Sequence, residues 1–180
     1  MVNILVAGAG GVGKSALTVQ LTQKSFDVAC ASPTKQVVVD GEEWTLGIML
    51  YSTEDESAAM WDSYRRTAQG YIIVYSVTSR SSFEEAALLY QQFLREKDED
   101  SLPSVLVGNK CDLEGERQVG EQEGRDFAAT IQCPFFETSA KAGVNIEEAF
   151  YELVREMREE NRRIEELNQR RPKKQSCPLF

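Results

Sequence analysis

Apolar runs that predict strands alternate along the chain with amphipathic runs that predict helices. Three runs are apolar on both faces, which is typical of strands inside a parallel sheet. They are ILVAG at residues 4–8, YIIVYSV at 71–77 and SVLVGN at 104–109. PFFETS, at 134–139, predicts a weaker fourth strand. Residues 35–50 predict a hairpin, because Asp40-Gly41 is a preferred type I′ turn pair between two β-rich segments.

Two amphipathic patterns indicate helices that pack on this sheet. The first aligns Phe83, Ala87, Tyr90 and Leu94, and the second aligns Ile146, Phe150, Leu153 and Met157. The second pattern continues into REENRRIEELNQRR, where we expect the helix to project into solvent with Glu159 and Arg163 as an i,i+4 pair. The alternation predicts an α/β fold with one core, in which helices cover both faces of a mostly parallel sheet.

Composition removes several classes of function. The net charge of −9 argues against a general nucleic-acid-binding protein, which needs a basic face. The chain has no histidine, so metal sites and acid–base catalysis that depend on histidine are excluded. The cysteines are far apart and no signal peptide is visible, so we expect no zinc cluster and a reducing cytosol. No apolar run reaches the length of a membrane span.

The segment GAGGVGKS, Gly8 to Ser15, matches the phosphate-binding pattern G-x-x-x-x-G-K-[ST] in full. It lies between a predicted strand and a predicted helix, which is the context that this pattern requires. Its glycines let backbone N–H groups surround a phosphate, and the positive end of the helix dipole adds to the attraction. Lys14 would reach the outer phosphates, and the Ser15 hydroxyl would bind Mg²⁺. The loop alone leaves ATP, GTP and other phosphates open.

Two further motifs, at the ends of predicted strands, indicate the base. VGNKCD ends at Asp112, and ETSAK covers residues 137–141. At the carboxyl edge of an open α/β sheet, both would lie beside the phosphate loop. The Asp112 carboxylate could accept two hydrogen bonds from guanine N1–H and the amino group, a donor pair that adenine lacks. NKCD alone could be a polar loop and SAK alone is weak evidence, but the three motifs in this order favour guanine.

These motifs, together with AFYELVRE and a C-terminal CPLF, resemble the Ras family of small GTPases over nearly the whole chain. YIIVYSVTSRSSFEE resembles the Rap and Rheb branches in particular. The resemblance implies a three-layer P-loop GTPase fold with a six-stranded, mostly parallel sheet, one antiparallel edge strand and five main helices. It also implies a GDP/GTP switch that hydrolyses GTP, uses Mg²⁺, and has exchange proteins, activating proteins and effectors as partners.

The resemblance further implies a set of nucleotide-binding residues. They are Gly8, Gly10, Gly11, Val12, Gly13, Lys14, Ser15, Ala16, Phe26, Asn109, Lys110, Asp112, Leu113, Ser139, Ala140 and Lys141. Within this set, the Ala140 amide would meet guanine O6. Phe26 would pack on the edge of the base, although a core aromatic residue that closes the first helix is an equal interpretation.

The family's D-T-A-G-Q run is absent from this chain. Aligning the downstream AAMWDSY places LYSTE, Leu50 to Glu54, at that position. Leu50 has no lone pair for the shell of a magnesium ion, and Thr53 lacks the freedom of the glycine whose N–H senses the γ-phosphate. An ionised Glu54, in place of the glutamine that orients water, cannot donate to a phosphate oxygen and adds negative charge. With Lys14 and Glu54 as the catalytic residues, we expect slow or absent turnover.

Pro33-Thr34 resembles the family's P-T pair, whose threonine contacts Mg²⁺ and the γ-phosphate. The six residues from Thr34 to Asp40 cover roughly 20 Å when extended. The ten residues from Asp40 to Leu50 cover roughly 33 Å. Thr34 therefore reaches the metal only if the hairpin slips, and we favour a position within the strand. The shortened segment is also the family's effector-binding strand, so partners recognised by that strand are in doubt.

The C-terminal CPLF fits a C-a-a-X box, and its terminal phenylalanine indicates geranylgeranylation of Cys177. Four basic residues precede it: Arg170, Arg171, Lys173 and Lys174. One lipid chain plus a basic cluster gives stable anchoring, whereas a chance cysteine in a disordered tail is the alternative. We therefore predict a Ras-like domain at residues 1–168 and a basic, prenylated tail at 169–180. The expected location is the cytoplasmic face of the plasma membrane or of endomembranes.

Two functions agree with these residues. The first is a membrane-anchored GDP/GTP switch with weak GTP hydrolysis. The second is a non-hydrolysing relative that binds guanine nucleotide and serves as a scaffold or interaction module. A P-loop kinase or ATPase is disfavoured, because Asp112 selects guanine and no substrate lid is evident.

Overall fold

Six strands form one sheet in a computed structural model that describes residues 1–23, 34–54, 63–64, 66–99 and 101–170, without the side chains of 168 and 170. The strands are β1 (Val2–Gly8), β2 (Thr34–Val39), β3 (Glu42–Ser52), β4 (Gly70–Ser76), β5 (Ser104–Asn109) and β6 (Phe135–Glu137). Their order is β2-β3-β1-β4-β5-β6. The pair β2–β3 is antiparallel and the other pairs are parallel, so the predicted mostly parallel sheet with an antiparallel edge strand is confirmed.

Helices cover both faces of the sheet. They are α1 (Lys14–Gln23), α2 (Arg80–Lys97), α3 (Glu121–Thr130) and α4 (Ile146–Arg170). One apolar cluster joins the sheet to α1 and α4, and a second joins its opposite face to α2 and α3, which makes three layers. The fifth helix that the resemblance implies would lie between β3 and β4, where residues 63–64 and 66–67 are helical and 55–62 lie outside the described part.

Burial follows the strand predictions. Every residue of β4 and of β5 is buried, as expected for strands covered by helices on both faces. All three residues of β6 are only partly buried, which agrees with its weaker apolar pattern. The strands with continuous apolar runs, β4 and β5, are therefore more buried than β6.

The apolar face of α4 is confirmed, whereas that of α2 is shifted. Ile146, Phe150, Leu153 and Met157 are all buried on α4. On α2 the buried residues are Ser82, Ala86, Leu89, Tyr90 and Phe93, while the predicted Phe83, Ala87 and Leu94 are only partly buried. The Ser82 hydroxyl accepts a hydrogen bond from the Ser76 amide at 3.0 Å, which turns the first turn of α2 so that residue 82 faces the sheet.

The C-terminal half of α4 extends beyond the sheet, as predicted. Residues 161–167 are exposed. The predicted pair of Glu159 with Arg163 is wrong, because Arg162 binds Glu159 at 2.6 Å and Arg163 binds Glu160 at 3.4 Å. Both pairs join residues three positions apart, and residues three or four positions apart are neighbours on the surface of a helix. No helix in the described ranges is long and apolar enough to cross a membrane.

The β2–β3 turn is bound to α4 by ion pairs. Asp40 and Gly41 have φ values of 52° and 84°, as a type I′ turn requires. The Asp40 carboxylate accepts hydrogen bonds from Arg155 at 2.9 Å and from Arg158 at 2.9 Å. The hydrogen bond from Arg155 holds the pKa of the Asp40 carboxyl below its ordinary value. The hairpin is thereby attached to the helix on its own side of the sheet.

We predict that Asp40→Asn lowers the free energy of unfolding at pH 7, because the amide cannot pair with Arg155 and Arg158 as a charged group. A lowered pKa in the folded state stabilises the protein above the ordinary pKa near 3.8, and this contribution is lost as the pH falls through the folded value. The difference between the two proteins should therefore be constant above about pH 5 and shrink below pH 4. Denaturant unfolding at several pH values measures it.

The matched control is Asp126→Asn, since Asp126 is an exposed carboxylate that accepts from Gln122 on its own helix. This control should change stability less than Asp40→Asn at pH 7. If the difference in free energy of unfolding between the parent and Asp40→Asn grows as the pH falls, the ion pairs do not stabilise the charged form of Asp40 as described.

Candidate nucleotide-binding site

The phosphate loop joins β1 to α1 at the carboxyl edge of the sheet. Gly13 has a φ of 101°, a region that favours glycine, and a Cβ there would collide with the Asn109 side-chain amide. The Leu17 amide donates to the Gly13 carbonyl at 2.9 Å, so α1 begins directly at the end of the loop. The positive end of its dipole therefore faces the loop.

Lys14 folds back over the phosphate loop. Its ammonium donates to the Gly8 carbonyl at 2.9 Å and to the Ala9 carbonyl at 2.6 Å. The cation therefore lies beside the first residues of the loop, where it can meet the outer phosphates of a bound nucleotide.

Asn109, at the end of β5, connects three segments of the edge. It is 1% exposed, and its side-chain amide donates to the Val12 carbonyl at 2.8 Å. Its oxygen accepts from the Thr138 hydroxyl at 3.1 Å and from the Ala140 amide at 3.2 Å. Lys110 adds a contact from its ammonium to the Gly11 carbonyl at 2.7 Å. The NKCD motif thus supports the phosphate loop directly.

A cavity of about 320 Å³ lies beside the loop, large enough for a small ligand. Its lining consists of Gly13, Ala16, Asn109, Lys110, Asp112, Leu113, Ala140 and Lys141. The Ser139 hydroxyl donates to one oxygen of the Asp112 carboxylate at 2.6 Å and accepts from the Ala142 amide at 3.0 Å. The carboxylate that was predicted to select guanine is therefore held in position at the lining of this cavity.

Two hydrogen bonds at the predicted base site were not expected from the sequence, and one predicted residue cannot be placed. The Ala140 amide, predicted to meet guanine O6, donates to Asn109, so a guanine oxygen would have to share or replace that bond. Thr138 lies inside ETSAK but was not predicted to have a role, and its hydroxyl supports Asn109 by donating to the side-chain oxygen. Phe26 lies outside the described residues.

Thr34 is a strand residue, as favoured from the hairpin length. It pairs with Gly47, which in turn pairs with Asn3 near the start of β1. The phosphate loop begins at the other end of β1, at Gly8, which is roughly 17 Å along the strand. The structure therefore does not bring Thr34 to Ser15 for magnesium binding.

The LYSTE segment ends β3 and turns against the phosphate loop. Leu50 packs on the apolar cluster between the sheet and α1. The Thr53 amide donates to the Gly8 carbonyl at 3.3 Å, and the Thr53 hydroxyl donates to Glu85 on α2 at 2.8 Å. A sequence pattern could not identify Glu85, because its partner lies 32 residues away. The amide aligned with the γ-phosphate sensor is thus bonded to the protein itself.

The fit to Mg²⁺ is partial. Ser15 is exposed in the first turn of α1. Leu50 offers no oxygen, and no group of three or more Asp, Glu, Cys or His residues within the described ranges could hold a metal ion. Among the described residues predicted to bind the ion, Ser15 alone lies at the loop, so Mg²⁺ would rely on the nucleotide phosphates and water for its other ligands.

A glycine loop before a helix, a lysine folded over it and a base cavity at the same sheet edge define a P-loop nucleotide-binding protein. The model of the Ras family matches residues 3–159, which is well over half of the chain. The chain therefore belongs to the Ras family, and its predicted resemblance is confirmed. That family consists of small GTPase switches that bind guanine nucleotide and typically Mg²⁺.

We predict that Asp112→Asn weakens binding of GDP by at least about tenfold, since a hydrogen bond to a charged group contributes about 1.5–3 kcal/mol. The asparagine oxygen is the only acceptor that the amide can offer to the two donors of guanine. Competition against a labelled guanine nucleotide measures the loss. Displacement by ATP as effective as displacement by GDP in the parent protein would contradict guanine selectivity, and Asp126→Asn is the control.

Proposed function

We propose that this chain is a membrane-anchored guanine-nucleotide-binding protein of the Ras type that works as a GDP/GTP switch with weak intrinsic GTP hydrolysis. One observation supports the proposal: the residues expected to bind phosphate and base lie together at one edge of the sheet, whereas the Thr53 amide, aligned with the γ-phosphate sensor, donates to the Gly8 carbonyl. Exchange proteins, activating proteins and effectors are the expected partners, and nucleic acid is not.

Nucleotide binding is supported by groups that are already in position. Lys14 supplies a cation at the loop, and the start of α1 supplies backbone donors. Asp112 is oriented by Ser139 at the cavity for the base. These groups need no rearrangement of the sheet to hold a nucleoside diphosphate.

Weak hydrolysis is supported by three features of the LYSTE segment. Leu50 contributes to the apolar core instead of a metal shell. The Thr53 amide is occupied by the Gly8 carbonyl, so it must break that bond before it can contact a γ-phosphate. Glu54 can accept a proton or hydrogen bond from water, but it cannot donate to the phosphate. Because phosphoryl transfer depends on positioning and charge stabilisation, each feature slows turnover.

A non-hydrolysing scaffold is the second candidate, and the bonds of Thr53 favour it. The hydroxyl of Thr53 binds Glu85 while its amide binds Gly8, so the turn is attached to both α2 and β1. A turn held at both points would respond little to the identity of the nucleotide.

We predict slow hydrolysis by the parent protein in a single-turnover assay of bound GTP. Replacing Thr53 by glycine and Glu54 by glutamine should raise the rate at least about tenfold, which corresponds to about 1.4 kcal/mol of transition-state stabilisation. Thr53→Ser, which keeps a hydroxyl and adds no backbone freedom, is the control and should leave the rate low. Rapid hydrolysis by the parent, unchanged in the double variant, would refute the assignment.

Membrane anchoring rests on the tail, residues 169–180, of which 171–180 lie outside the described part of the chain. The four basic residues and the C-a-a-X box supply two attachment signals for an anionic cytoplasmic leaflet. The long α4 would separate the nucleotide-binding domain from that surface.

We predict that Cys177→Ser releases the protein from membranes of a eukaryotic host, because the serine cannot accept the geranylgeranyl group. Fractionation of cells that express each protein measures the change. Cys133→Ser, in the domain, is the control and should stay with the membranes as the parent does. If Cys177→Ser also sediments with membranes, the lipid anchor is wrong.

A further inference from the structure

The Glu54 side chain lies against the phosphate loop. A Cβ atom built on Gly10 would collide with both carboxylate oxygens of Glu54. At the next residue, Gly11, nothing lies within 4 Å of the corresponding position. The carboxylate therefore covers the loop at Gly10 and leaves the side at Gly11 open.

The backbone before Glu54 is attached at two points. The Thr53 amide binds the Gly8 carbonyl at 3.3 Å, and the Thr53 hydroxyl binds Glu85 at 2.8 Å. The Glu54 amide itself contacts the Ser52 hydroxyl at 3.4 Å. These bonds hold the backbone of residues 53 and 54 beside the loop, where the Glu54 side chain lies against Gly10.

Gly10 lies in the part of the loop that would face the outer phosphates, next to the contact of Lys14. The Lys14 ammonium, which would bind those phosphates, donates at 2.6 Å to the carbonyl of Ala9, the residue before Gly10. A γ-phosphate bound by Lys14 would therefore lie close to the Glu54 carboxylate. A carboxylate and a phosphate are both anions, and like charges brought together at a binding site reduce affinity.

We propose that Glu54 is a specificity-determining residue that disfavours the γ-phosphate, so that the protein binds GDP in preference to GTP. This inference rests on the proposed binding of guanine nucleotide. GDP leaves the outer end of the loop to the carboxylate, whereas the γ-phosphate of GTP must displace the carboxylate from Gly10. The replacement of the family's glutamine thus has a role in nucleotide choice that is separate from hydrolysis.

The test is competition of GDP and of a non-hydrolysable GTP analogue against fluorescently labelled GDP, with Mg²⁺ present. The parent should bind GDP at least about tenfold more tightly than the analogue. Glu54→Gln, which keeps the shape and removes the charge, should reduce that ratio at least about fivefold by tightening the analogue. The affinity of this variant for GDP should change by less than about threefold, because Glu54 is remote from the inner phosphates.

Glu165→Gln, which removes a charge from the exposed extension of α4, is the matched control and should keep the parent ratio. A Glu54→Gln ratio equal to that of the parent overturns the proposal. Weaker binding of the analogue by Glu54→Gln also overturns it, because the carboxylate would then help to hold Mg²⁺ at the γ-phosphate. If labelled GDP does not bind the parent at all, the proposed nucleotide binding is wrong, which is a different outcome from an unchanged ratio in Glu54→Gln.

Discussion

The hydrogen bonds of one buried side chain, Asn109, hold the nucleotide-binding edge together. Its amide nitrogen binds the carbonyl of Val12 in the phosphate loop, and its oxygen binds Thr138 and Ala140 after β6. An unpaired amide at 1% exposure would be costly, so the three segments are coupled through it. Because β5 lies between β4 and β6 in the sheet, the Asn109 side chain fixes the phosphate loop relative to the buried strands.

Under the proposed function, the segments that bind phosphate and those that would sense the γ-phosphate are different parts of this molecule. The loop and the helix α1 follow β1, in the centre of the sheet, with the start of the helix facing the loop. The turn that follows β3 would sense the γ-phosphate, but the Thr53 amide binds the Gly8 carbonyl and the Thr53 hydroxyl binds Glu85. The Glu54 carboxylate lies against Gly10. The proposed function therefore separates retention of nucleotide from the response to the third phosphate.

Much of the fold could be predicted because its signals are local. Asp40-Gly41 adopts positive φ at both positions, so the dipeptide determines the hairpin turn, and apolar runs identify the buried strands. The rotation of α2 could not be predicted, since it depends on a hydrogen bond between Ser82 and Ser76 that apolar spacing does not register. The contact of Glu54 with Gly10 also escaped prediction, because it joins distant segments that meet only after the sheet has formed.

Amide hydrogen exchange at Thr53 tests the separation of binding from sensing most directly. The protein would be compared with GDP bound and with a non-hydrolysable GTP analogue bound, each at saturation. We expect similar protection in both states, because the amide keeps its bond to the Gly8 carbonyl whichever nucleotide occupies the loop. A change in protection of more than about tenfold between the two nucleotides would show that this amide responds to the γ-phosphate, and would contradict the account.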